Sequence, residues 1–192
     1  MRSVHILTAV VLGFGLPVVT QAASMPTGTT ELTTRTYFSH VGYSHDGTSL
    51  GSATSAQLSL GVGQCVTDLI ELYGSVIWNH NSIDPKGESS ASASSYGASG
   101  SILFNFTTSS SAIPYLQAGV GMLAYSGDGY DDAETSTLLP VLGGGLRFLV
   151  GDSAAFDAGL VYQRMSNAGG VQDLDAGQFY LGLGIAVLLR RA

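Results

Sequence analysis

Apolar and polar residues alternate along most of this chain. The closing stretch "GQFYLGLGIAVLL" shows the pattern. Phe179, Leu181, Leu183, Ile185, Val187 and Leu189 take turns with Tyr180, Gly182, Gly184, Ala186 and Leu188. A strand sends successive side chains to opposite faces, so one face here is bulky and apolar and the other mostly small. Similar segments are read at 35–45, 54–66, 70–80, 95–106, 113–125, 137–150, 154–166 and 174–189. No window keeps a helical period, and Gly, Ser and Thr are too frequent for helices. The pattern predicts an all-β chain of eight strands.

Both faces of the strands repeat one division of labour. The bulk falls on Leu58, Leu60 and Val62; Leu72, Val76 and Trp78; Ile102, Phe104 and Phe106; Leu116, Val120 and Met122; Phe156, Leu160 and Tyr162. Opposite them stand small or polar residues such as Gln57, Ser59, Ser75, Asn79, Ser101, Asn105, Gln117, Gly119 and Gln163. An eight-stranded barrel has an interior just wide enough for side chains, so the small, polar face is expected inside and the bulky face in lipid. Closure would leave no unpaired edge, as the hydrocarbon layer requires.

The connections sort by length. "VTDL", "TTSSSA" and "VGDSA" follow the second, fourth and sixth strands. "DGTSLGS", "NSIDPKGESSASAS", "SGDGYDDAETS" and "NAGGVQD" follow the odd ones. In an up-and-down meander this places every long connection at one end, as in outer-membrane barrels with short periplasmic turns and long outer loops. Most charges lie in or beside the long connections. Tyr43, Trp78, Tyr96, Tyr125, Tyr162 and Phe179 fall near their long-loop ends, and Phe106, Phe148 and Phe156 near the short turns. Two such aromatic bands suit two membrane interfaces.

Composition narrows the compartment and the partners. "MRSVHILTAVVLGFGLPVVTQAAS" has a basic start, an apolar run too short to span a bilayer and small residues after it, the layout of a secretory signal peptide. Residues 1–22 are expected to be this signal, 23–34 a polar periplasmic lead-in, and 35–192 an outer-membrane β-barrel. Cys65 is the only cysteine, which excludes an internal disulfide. With 7 Lys and Arg against 14 Asp and Glu, nucleic acid is not expected as a partner.

Three segments carry the likeness to a known class. "GVGQCVTDLIEL" resembles the strand–turn–strand "G-x-T-D-x-x-E-L" of several barrel families. "PYLQAGVGM" and "GGGLRFLVGDSAAFDAGLVYQ" resemble the fifth strand and the sixth-to-seventh hairpin of small barrels. Over nearly all its mature length the chain resembles the small eight-stranded outer-membrane β-barrel proteins. It ends in "LLRRA", where such proteins usually end on an aromatic residue. Pro140 stands early in the sixth strand, where a ladder wants a donor, and is expected above the membrane or at a bulge. The resemblance implies an integral outer-membrane barrel and specifies architecture rather than activity; the role expected is structural or one of surface interaction, with no cofactor. Outer-membrane lipids, including lipopolysaccharide, and the barrel assembly machinery are its implied partners; the oligomeric state is open.

Four sets of residues could carry chemistry. Glu71, Arg147 and Asp157 have inward parity near the short turns, and a turn centred on Asp152 would set Arg147 opposite Asp157, filling a narrow interior. A proton or ion path is the alternative, interrupted by Leu103, Leu123 and Val161, and a small passive channel lacks a lumen. In "GDGYDDAE", Asp128, Asp131, Asp132 and Glu134 could hold a divalent cation but match no complete loop motif. "YQRMSNAGG" resembles the His-x-Ser-Asn motif of the lipid A 3-O-deacylases, where the His is the base for the Ser. Ser166 and Asn167 match, but Arg164 stands at the His position and stays protonated. Ser166 is therefore a nucleophile candidate without its base, and no catalysis is expected. Arg164 and Tyr162 share outward parity at headgroup level, where a guanidinium can pair with a lipid phosphate.

Overall fold

The structure, a computed structural model, describes residues 25–45, 48–87, 89–106, 111–126, 137–165 and 176–189. Eight strands form one closed antiparallel barrel in sequence order: β1 (Thr30–His45), β2 (Thr48–Cys65), β3 (Ile70–Pro85), β4 (Ala91–Asn105), β5 (Ala112–Ser126), β6 (Thr137–Val150), β7 (Ala154–Met165) and β8 (Ala176–Leu189). β1 closes on β8 through a ladder from Thr30↔Leu189 to Phe38↔Leu181. The described residues include no helix long and apolar enough to cross a membrane.

The two faces fall as the alternation demands. In β8, Ile185 is 65 % exposed, whereas Tyr180 and Ala186 are fully buried. Leu60, Val76, Ile102, Leu116, Val120, Leu142 and Leu160 all stand on the outer wall. A closed, hydrogen-bonded cylinder with such an apolar wall is a membrane barrel, since water would penalise the wall and lipid does not. Trp78, Tyr96 and Phe179 lie outward toward one rim, and Phe179 packs on Tyr162 at 5.0 Å. Phe106 lies outward near the other rim, where Phe148 packs on Phe156 at 6.4 Å. The side chains of Tyr43 and Tyr125 lie outside those described.

Strand ends differ from the sequence reading in an instructive way. β1 starts at Thr30 rather than at 35, so Glu31 and Thr33, expected in the lead-in, lie inside the barrel. β2 starts at Thr48, β3 runs to Pro85 and β4 starts at Ala91. Most of the expected loops "DGTSLGS" and "NSIDPKGESSASAS" is therefore strand. Spanning lipid takes only about 9–11 tilted residues, so these strands project beyond it. There the outward residues are polar, His40, Thr54, His80 and Ser94. With water on the outside, apolar alternation is no longer required, yet backbone pairing continues. The pairing of β1 with β2 shifts between Tyr43 and Ser44, where a bulge sits in this projecting part.

Pro140 lies in register opposite Val120, with no shift between β5 and β6. The β6–β7 ladder starts only at Val141↔Gln163. Pro140 thus stands where β6 is paired on one side only, and its missing N–H costs no bond there.

Candidate functional site

Ion pairs fill the short-turn half of the interior. The turn at 151–153 sets Arg147 of β6 directly across from Asp157 of β7, and Arg147 Nε donates to Asp157 Oδ1 at 3.0 Å. Its other two nitrogens reach across the lumen. Nη1 donates to Glu71 Oε2 at 3.0 Å, and Nη2 lies 3.0 Å from Glu31 Oε1 and 2.9 Å from Oε2. Arg35 of β1 donates to Asp157 Oδ2 at 2.9 Å and to Glu31 Oε1 at 3.4 Å. Three carboxylates thus face two guanidiniums, and none of the five residues is more than 2 % exposed. Arg147 uses each edge of its fixed fork, the geometry that makes arginine suited to several carboxylates at once.

Tyrosines pack around these charges, and glycines make room for them. The Arg35 guanidinium lies 4.6 Å from the Tyr73 ring centroid, within cation–π range. Tyr73 hydroxyl bonds the Thr33 hydroxyl at 2.6 Å. A Cβ at Gly61 would collide with the Tyr73 ring, one at Gly182 with Tyr37, and one at Gly159 with the Tyr115 hydroxyl. Tyr73 and Tyr115 also bury Leu103 between them.

A second, uncharged network occupies the long-loop half. Gln178 Nε2 donates to Ser39 Oγ, and Tyr180 hydroxyl donates to Gln178 Oε1, both at 2.9 Å. Ser55 bonds Asn79 Oδ1 at 3.0 Å and the Tyr180 hydroxyl at 3.3 Å. Leu123 and Val161 are buried in this half. Side chains therefore occupy both halves of the barrel.

The residues singled out in the sequence fare differently. Glu71, Arg147 and Asp157 meet. Glu31 and Arg35, which sequence reasoning left out of the cluster, complete it; the signal was their shared parity in "ELTTRTYF", where Leu32 and Phe38 take the other face. Tyr162 is half-buried on the outer wall against Phe179. Arg164 lies in β7 opposite Gly177, but its side chain is outside those described. Ser166, Asn167, Asp128, Asp131, Asp132 and Glu134 lie outside the described residues. Among the described residues no group of His, Cys, Asp and Glu could hold a metal ion. His40 and His80 stand on the outside of β1 and β3, bonded to Thr54 at 3.0 Å and Ser94 at 3.2 Å. Gln178, set opposite Gln163 by the β7–β8 register, turns inward to Ser39.

No protein-family profile matches the chain, and no curated protein matches it. Solved structures do. Neisserial surface protein A (NspA) superposes with a TM-score of 0.60 at 19 % identity, covering 84 % of this chain and 97 % of that one. OprG from Pseudomonas aeruginosa gives 0.59 at 12 % identity, covering 86 % and 98 %. The N-terminal β-barrel domain of Pseudomonas aeruginosa OprF gives 0.54 at 16 % identity, covering 86 % and 100 %. The fold is that of the small bacterial outer-membrane β-barrels.

Proposed function

We propose that this protein is a non-enzymatic integral barrel of the outer membrane, with a structural role or one in interaction at the cell surface. The observation that carries this reading is the filled interior: buried ion pairs and a polar network leave the outer wall and the loop rim as the surfaces open to partners. Residues 1–22 act as the secretory signal, and the mature chain begins at Ala23. The barrel assembly machinery inserts it. Arg164, beside Tyr162, pairs with headgroup phosphates of outer-leaflet lipid such as lipopolysaccharide.

Hydrolysis at Ser166 would need a base beside it. The strands flanking β7 are β6 and β8, and neither contains histidine. Incubating the purified protein with lipid A and weighing the lipid by mass spectrometry tests the proposal. The expected result is an unchanged acyl content for both the wild type and Ser166→Ala. Loss of a 3-hydroxyacyl chain that depends on Ser166 would make the protein a hydrolase instead.

A further inference from the structure

Residues 25–29 precede β1 and cross the short-turn mouth of the barrel. Thr29 N–H donates to the Pro26 carbonyl at 3.0 Å, closing a turn with Gly28 at φ 87° in its third position. A type II turn needs a positive φ there, which glycine adopts at no steric cost. The reversal carries Met25 to full burial among Cys65, Ile113, Ala155, Ala186 and Leu188, with Leu149 against them. Those six residues belong to β2, β5, β6, β7 and β8, so one thioether side chain meets most of the circumference of the mouth. Several contacts fasten the turn, and at its β1 end the Thr29 carbonyl accepts from Cys65 N–H at 2.9 Å and from Gln64 Nε2 at 3.3 Å. Gly28 N–H donates to the Cys65 carbonyl at 2.8 Å. Thr27 donates both its N–H, at 2.8 Å, and its hydroxyl, at 2.7 Å, to Asp68 Oδ1 in the β2–β3 turn.

The barrel does not depend on this segment for closure, because the β1 ladders to β2 and β8 both run from Thr30. We infer that residues 25–29 form a strap over the periplasmic mouth, with Met25 as its stopper and the Thr27–Asp68 contact as its clasp, and that the strap opens while the barrel stays folded. A short segment held by a few bonds and one apolar side chain belongs to the low end of local stability, and strands bonded on both sides belong to the high end. Opening uncovers Cys65, which is 1 % exposed with the strap in place. Directly across from Cys65 lies Glu71 of the ion cluster. The strap is therefore the gate between periplasmic water and the buried charges.

The sole cysteine reports on the gate. The mature protein, folded in detergent micelles, is exposed to a water-soluble maleimide, and the labelling rate of Cys65 is followed with sub-denaturing urea present or absent. Folding is checked by heat-modifiable migration on gels. Wild-type labelling should be slow and nearly independent of urea, as local opening exposes little surface. Met25→Ala and Asp68→Ala, the second of which removes the acceptor of both Thr27 bonds, should each label about tenfold faster or more while the barrel remains folded. Rates equal to wild type in the folded variants would overturn the inference, as would wild-type labelling that occurs only with global unfolding. Should Met25→Ala fail to fold, Asp68→Ala decides alone, since its exposed turn lies outside the ladders.

Discussion

Arg147 is the residue whose loss the interior tolerates least. It holds Asp157, Glu71 and Glu31 at once, so Arg147→Leu leaves buried carboxylates short of their cation. Breaking one side of a buried ion pair costs about 3–5 kcal/mol, whereas an exposed pair is worth about 0–1 kcal/mol. Arg147→Leu should therefore lower stability in urea titrations by several kcal/mol, on the order of the buried figure. Arg147→Leu with Asp157→Leu should cost less than the sum of the single changes, and simple additivity would show that the two side chains do not interact. Asp68 makes a gentler prediction. The Thr27 hydroxyl and N–H hold its carboxyl below the ordinary aspartate value of 3.8. A lowered folded-state value means the clasp is at full strength above that ordinary value and is lost only as pH falls through the lowered one. A carboxyl titration by NMR should place Asp68 below 3.8, and Thr27→Val should bring it partway back by removing the hydroxyl bond alone.

At the level of strands, inner and outer glycines have different reasons to be there. A Cβ at Gly61 would run into Tyr73, which is held by Thr33 and lies beneath Arg35. A Cβ at Gly100, on the lipid face, meets nothing. Gly61→Ala should cost about 1–3 kcal/mol, as overpacking does, and Gly100→Ala should change stability by less than about 1 kcal/mol. Equal effects in an unfolding titration would contradict the interior packing. Strand parity was legible in the sequence because lipid outside and a narrow lumen inside impose opposite demands on neighbouring residues. Arg147 opposite Asp157 was legible for the same reason, since a short turn fixes register. The projecting parts of β2, β3 and β4 were not, because water relaxes the demand for alternation. Glu31 was missed with them: the uncapped start of β1 lies among "TGTTELTT", where composition alone reads as a polar leader. The tie between Glu31 and Arg147 links the first strand to the sixth, and only closure of the barrel brings them together.

The whole molecule is a barrel filled by its own side chains. Ion pairs fill one half, a hydroxyl and amide network with Leu123 and Val161 the other, and Met25 covers the short-turn mouth. Eight strands leave room for side chains and for no aqueous channel, and the proposed role at the wall and rim rests on that. Reconstitution of the mature protein in planar bilayers tests this most directly. The expected result is a flat current trace with no stable conductance steps across a range of applied voltages. Discrete, reproducible openings at the single-molecule level would contradict it and place a conducting path where the ion cluster stands.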